Sequence, residues 1–190
     1  ARAPVSAEDL RVVQRECRRK DDDLRRLIAL VSDTGLRLSE ALGLASADIV
    51  LAGETPHVLV RPHPWRRLKT EGSERSVPLV GEALWAAQRL LRDKAGSPHL
   101  FPRYVTGGQT NANAASAALN KWLKAKTGSD ATMHGFRHAL RDRLRAIECP
   151  FDIVDQIGGW RTEGVGQSYG KGYPLAVLSR WMKLMAEQSA

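Results

Sequence analysis

A chain of 190 residues is long enough to bury a substantial core and fits one domain. Its apolar content of 43% and charged content of 26% are those of globular proteins, which excludes a disordered chain, and no apolar run is long enough to span a bilayer. The formal net charge of +8, carried mainly by arginine, points to a polyanion, with nucleic acid ahead of any acidic small molecule, although charge alone equally suits a basic soluble protein.

Ser6 followed by Asp9 reads as a capping-box-like start, and Leu10, Val13 and Cys17 recur at helical spacing, so a first helix runs to about Arg19. A second helix has Leu24, Leu27, Ile28 and Val31 on its buried face and is ended by Gly35. A short third helix carries Leu38 to Leu44. From Ile49 to Val80 the pattern changes to β-rich pieces, His57 to Arg61 and Ser76 to Val80, with Trp65 to Lys69 between them. Helices resume at about Gly81–Asp93, Asn111–Lys126, His134–Ile147, Pro150–Ile157 and Leu175–Glu187, with loops at Gly96-Ser97-Pro98, Gly107-Gly108 and Gly158-Gly159. The expected fold class is mainly α with a small antiparallel β-sheet (α+β), without internal repeats.

Cys17 and Cys149 are far apart and neither belongs to a C-x-x-C pair, which argues against a zinc site and against a disulfide framework. A reducing cytoplasm is the expected location, since Ala1 to Leu10 holds no apolar signal segment. The missing initiator methionine suggests a piece of a longer protein.

Six side chains carry chemistry. Arg37 follows the helix-ending Gly35, and Glu40, three residues on, can reach back across one turn to orient it; taken alone this pair is a surface ion pair worth under about 1 kcal/mol. His134 and Arg137 share one face at the start of a helix, an acid–base group beside an anion clamp. Cations there are disfavoured by the helix dipole unless an anion binds. His138, one step around, supports the site structurally. Lys69 falls at or near a hairpin turn, from which it can swing toward a phosphate, while Arg66, Arg67 and Arg75 read as DNA-backbone contacts or solvated charges. Trp160, after Gly158-Gly159, can expose an indole N–H donor. Tyr169 needs nearby cations to become a nucleophile at neutral pH, and Tyr104 and Tyr173 are the other tyrosines. Two guanidinium forks, two proton carriers and a phenol suit cleavage of a phosphodiester without a metal.

In this order and rough spacing, Thr34-Gly35-Leu36-Arg37-Leu38-Ser39-Glu40, Lys69, His134-Gly135-Phe136-Arg137-His138, Ile157-Gly158-Gly159-Trp160 and Tyr169-Gly170 resemble the catalytic domain of the tyrosine recombinases, the phage-integrase family, over nearly the whole chain. The resemblance implies Arg37 and Arg137 as clamp arginines, Lys69 as the β-hairpin lysine, His134 as the box histidine and Tyr169 as nucleophile. Trp160 stands where most relatives carry histidine, and the nine-residue step from it to Tyr169 matches the family. Residues 1–190 would then be the catalytic domain, without the N-terminal core-binding domain that usually clamps the other face of DNA.

The implied activity is site-specific recombination or integration by transesterification through a 3′-phosphotyrosyl intermediate, with no cofactor. Implied partners are double-stranded DNA, a homo-tetramer assembled on it, and accessory DNA-bending or directionality proteins, with no membrane. Two other readings stay open, a DNA-binding regulator without catalysis and a type IB topoisomerase-like relaxing enzyme. The stripe of Leu175, Leu178, Trp181 or Met182, and Met185 suits packing on its own domain or docking on a neighbouring protomer.

Overall fold

The computed structural model describes residues 3–162 and 172–189, and within them eight α-helices accompany two small antiparallel sheets. Helix α1 (Ala7–Lys20) starts where Ser6 Oγ accepts the Asp9 N–H at 3.1 Å, and its Leu10, Val13 and Cys17 are buried. They pack against α2 (Asp23–Ser32), which is buried at nine of its ten positions and is the central strut of the domain. The residues leaving α2, Asp33 to Leu36, are buried as well, and they lead into the five-residue α3 (Leu38–Leu42).

The first sheet has strands β1 (Ile49–Val50), β2 (His57–Val60) and β3 (Arg75–Pro78) in that order, all antiparallel, with Val58 opposite Val77 and Val60 opposite Arg75. Val58, Val60 and Val77 point inward and are fully buried. Residues 61–74 connect β2 to β3 and end in a 3-10 turn, Glu71–Ser73. Then α4 (Gly81–Asp93) lies along α2.

Gly107 and Gly108, expected as a loop, form a two-residue hairpin turn with φ of +60° and +75° between β4 (Val105–Thr106) and β5 (Gln109–Thr110). Both glycines supply the left-handed backbone such a turn requires. Strands of two residues are too short to show alternation in sequence.

Three helices complete the site's scaffold: α5 (Ala112–Thr127), α6 (Gly135–Ala146) and α7 (Phe151–Gly158). The last helix, α8 (Leu175–Ser189), buries Leu178, Met182 and Met185 against β3, α4 and α6, so this stripe covers its own domain. Among the described residues no helix is long and apolar enough to cross a membrane.

Candidate active site

Gly35 brings two distant arginines together. Its φ of +69° is a left-handed conformation that glycine adopts without strain, and a Cβ there would stand 2.5 Å from Leu140 Cδ2 on α6. The loop after α2 can thus lie directly on α6. At that crossing the Gly35 carbonyl accepts a 2.7 Å hydrogen bond from Arg137 Nη1, while the chain proceeds two residues to Arg37 at the N-cap of α3.

Arg37 is oriented by Glu40, as its spacing predicts. The Glu40 carboxylate accepts the Arg37 backbone N–H at 2.8 Å and Arg37 Nη1 at 3.1 Å. The same Nη1 also reaches Ser73 Oγ at 3.3 Å, at the end of the β2–β3 connection. Glu40 is 1% exposed and is also gripped by both terminal nitrogens of Arg75, each at 3.0 Å. Burial alone would push its carboxyl upward. Arg75 and Arg37 outweigh that and hold it below the usual glutamate range.

Helix α6 begins where Val5 N–H binds the Gly135 carbonyl at 3.1 Å and Asn120 Oδ1 accepts the Met133 N–H at 3.0 Å, which locates His134 at its N-cap. His134 is exposed, and its ring meets His138, one turn on, edge to face at 4.9 Å. Arg137 points inward and is 3% exposed. It lies 4.5 Å from the centre of the Trp160 ring, and Arg141 lies 3.9 Å from the same ring. The indole of Trp160 therefore backs two guanidiniums of α6, a contact worth from about 0.5 kcal/mol where solvent reaches it to about 2 kcal/mol where it is desolvated.

Two glycines make that placement possible. Gly158 clears space for the Trp160 ring, since a Cβ there would fall 1.9 Å from it. Gly159 caps α7 with a φ of +71°, and a Cβ there would stand 2.7 Å from Arg75 Nη1. The pair read from sequence as loop punctuation is thus a double steric allowance.

The electrostatics favour an anion. Burial, then the positive charges of Arg37 and Arg75, bring the Arg137 guanidinium down to about 9, with Arg141 acting the same way and Glu40 opposing. A buried cation so poorly balanced is costly unless a counter-charge enters the site. Two planar forks beside a bound phosphate supply that balance and grip two of its oxygens.

The expected site residues fall into three groups. Arg37, Arg137 and Trp160 converge. His134 and Lys69 are exposed, the latter in the β2–β3 connection that delivers Ser73 to Arg37. Tyr169 lies outside the described residues, but both flanks of that segment are tied to α7: Thr162 Oγ1 donates to Asp155 Oδ2 at 2.9 Å, and Tyr173 N–H donates to Gln156 Oε1 at 2.8 Å. Tyr173 donates its own hydroxyl to Asp152, which pushes its phenol upward and away from easy ionisation. Tyr104 accepts a hydrogen bond from Arg103 Nη2 at 3.0 Å.

The reading of Arg66 and Arg75 as solvated or DNA-contacting is corrected. Arg66 is 5% exposed and packs on Gly43, and burial pushes its guanidinium down. The Arg75 side chain is 4% exposed because Glu40, 35 residues away, draws it inward. Arg67 is exposed. Arg141 was not singled out by motif, although its position one turn beyond Arg137 on the same helix face was a usable signal. Among the described residues no cluster of three or more His, Cys, Asp or Glu side chains could hold a metal ion.

Residues 7–173 match the profile of the Phage integrase family. The chain is 28% identical over 152 residues to the tyrosine recombinase XerD of Corynebacterium glutamicum, covering 76% of this chain and 47% of that protein. It is 31% identical over 147 residues to the tyrosine recombinase XerC of Mesorhizobium japonicum, covering 75% of this chain and 45% of that protein. The chain thus spans about half the length of the curated relatives it matches. In fold it is similar to the XerH site-specific recombinase solved in a pre-cleavage complex with its difH substrate, with a TM-score of 0.63 at 16% identity over 99% of this chain and 52% of that one. The Tn1549 transposon integrase, solved with transposon right end DNA, gives a TM-score of 0.52 at 19% identity over 87% of this chain and 56% of that one. At these identities the likeness concerns architecture, a mainly helical domain with small antiparallel sheets.

Proposed function

Since the chain belongs to the phage integrase family of tyrosine recombinases, we propose that it is the catalytic domain of a site-specific DNA recombinase or integrase. The observation that carries this reading is the arginine cluster: Arg137, nearly fully buried, sits within charge range of Arg37, Arg75 and Arg141 with Glu40 as the carboxylate opposing them. Such a site is complete only with an anion in it.

In this reading the Tyr169 phenolic oxygen attacks a DNA phosphorus, a 3′-phosphotyrosyl ester forms, and the P–O bond to the 5′ oxygen breaks. Lys69 gives that oxygen its proton. His134 assists proton movement at the phenol. Arg37 and Arg137 bind the non-bridging oxygens and stabilise the charge that builds up on them. Trp160 backs Arg137. Attack by a 5′-hydroxyl of a second duplex reverses the steps and releases Tyr169, so one phosphoester is exchanged for another and no ATP is consumed. Partners in this reading are double-stranded DNA, three further copies in a tetramer on it, and accessory proteins that bend DNA or set direction. If roughly six phosphates are neutralised, affinity falls about a thousandfold between about 50 and 200 mM salt.

The test uses a duplex site selected from a random-sequence pool by binding to the protein, then nicked next to the cleavage position so that the released strand diffuses away. The wild type accumulates a covalent adduct and Tyr169→Phe accumulates none. Salt-sensitive binding without any adduct would instead favour the regulator. Relaxation of supercoiled plasmid without sequence preference would favour the topoisomerase.

A further inference from the structure

Arg75 has no place in the chemistry just described, yet its side chain makes four hydrogen bonds beside the site. Its guanidinium donates twice to Glu40 at 3.0 Å, once to the Ser73 carbonyl at 2.6 Å and, through Nε, to the Ile157 carbonyl at 2.9 Å. With so many of its N–H donors committed to protein, it is not an arm of the phosphate clamp.

Those bonds join two parts of the domain that carry different arms. Glu40 belongs to α3 and holds Arg37 by backbone and side chain. Ile157 is in the last turn of α7, just before the Gly158-Gly159 turn that sets the Trp160 ring over Arg137. Gly159 leaves the space that the Arg75 guanidinium occupies, since any Cβ there would meet it. One planar group therefore fixes the position of Arg37 relative to the support of Arg137.

We propose that Arg75 is a positioning residue for strand cleavage: by bridging Glu40 and the Ile157 carbonyl it sets the spacing at which Arg37 and Arg137 close on one phosphate. This rests on the recombinase reading of the site. A lysine in its place keeps the charge but lacks the fork, so it cannot hold both partners.

The test compares the full chain with Arg75→Lys on the nicked duplex, measuring equilibrium binding, single-turnover adduct formation and thermal melting. Arg75→Lys melts cooperatively and binds within about threefold of the wild type, but forms adduct about a hundredfold more slowly. A second duplex carries a neutral methylphosphonate at the cleavage position, where less charge needs stabilising. On it the deficit shrinks to under about tenfold, which a general structural defect would not do. If Arg75→Lys fails to fold, the isosteric Glu40→Gln carries the same comparison and shows the same dependence on phosphate charge. A variant that cleaves like the wild type, or a deficit equal on both duplexes, overturns this proposal alone. A wild type that forms no Tyr169-dependent adduct overturns the recombinase reading and this proposal with it.

Discussion

Two arginine clusters in this domain are built from the same residue types to opposite ends. Where α4 meets the start of α2, Arg26 donates to Asp21 at 2.8 Å and to Asp93 at 2.9 Å, Arg89 to Asp21 at 2.7 Å and Arg92 to Asp93 at 2.8 Å. Three guanidiniums there share two carboxylates, and hydrogen bonds from Arg92 first, then Arg26, hold the Asp93 carboxyl far below its usual range. In the candidate active site, Arg37, Arg75, Arg137 and Arg141 have Glu40 as the carboxylate bonded to any of them among the described residues. The first cluster has all three of its guanidiniums bonded to carboxylates, with one net positive charge, and serves the fold. The second retains positive charge that the fold does not neutralise, which is the condition for binding an anion.

The comparison is broken most directly by exchanging one arginine in each cluster for methionine. Arg137→Met should lower single-turnover cleavage about a thousandfold, with the melting temperature unchanged or higher because a poorly balanced buried cation is removed. Arg26→Met should leave cleavage unchanged and cost about 1 kcal/mol, or roughly 3 °C, its carboxylate partners being partly solvated. Melting and adduct formation measured on both variants decide the matter, and reversed effects would end the distinction.

Gly158→Ala should come next. The added methyl would stand 1.9 Å from the Trp160 ring and drive it off Arg137, and cleavage should fall about a hundredfold in the same assay. Trp160→Phe keeps an aromatic face with less surface, and about a tenfold loss is expected. A Trp160→Phe enzyme as slow as Gly158→Ala would show that the ring contributes more than support.

The smallest effect concerns the free protein. The Arg137 guanidinium, brought down from its ordinary range to about 9, binds its proton less tightly in the fold than in the unfolded chain. Its charge therefore destabilises the fold below about pH 9, and the penalty is relieved as pH rises above about 9 toward the ordinary arginine range. Inorganic sulfate at neutral pH should then raise the melting temperature of the wild type by a few degrees more than that of Arg137→Met. Equal shifts would place the anion elsewhere.

How much of this was legible in the sequence depends on the range of the interaction. The Arg37–Glu40 contact follows from a three-residue step at a helix start, and it is present. His134 and Arg137 are readable together at the opening of a helix for the same local reason, and in the fold the His134 ring meets His138 while Arg137 is buried beneath Trp160. Arg75 departs from the exposed placement its sequence context suggests because its exposure is decided by a carboxylate 35 residues earlier and a carbonyl 82 residues later. Trp160, expected as an N–H donor, has its ring engaged by two guanidiniums that only the packing of α6 on α7 could bring there.

Helix periodicity, capping residues and the excess of arginine were determined by the sequence alone, down to the bounds of α4 at Gly81–Asp93. These depend on neighbours within one or two turns and on a simple sum of charges. Which arginines are buried, which carboxylate restrains them, and that α8 lies on β3 were decided only by the tertiary structure. Desolvation and charge balance at a point are set by every group that folding brings near it, however far apart those groups stand along the chain.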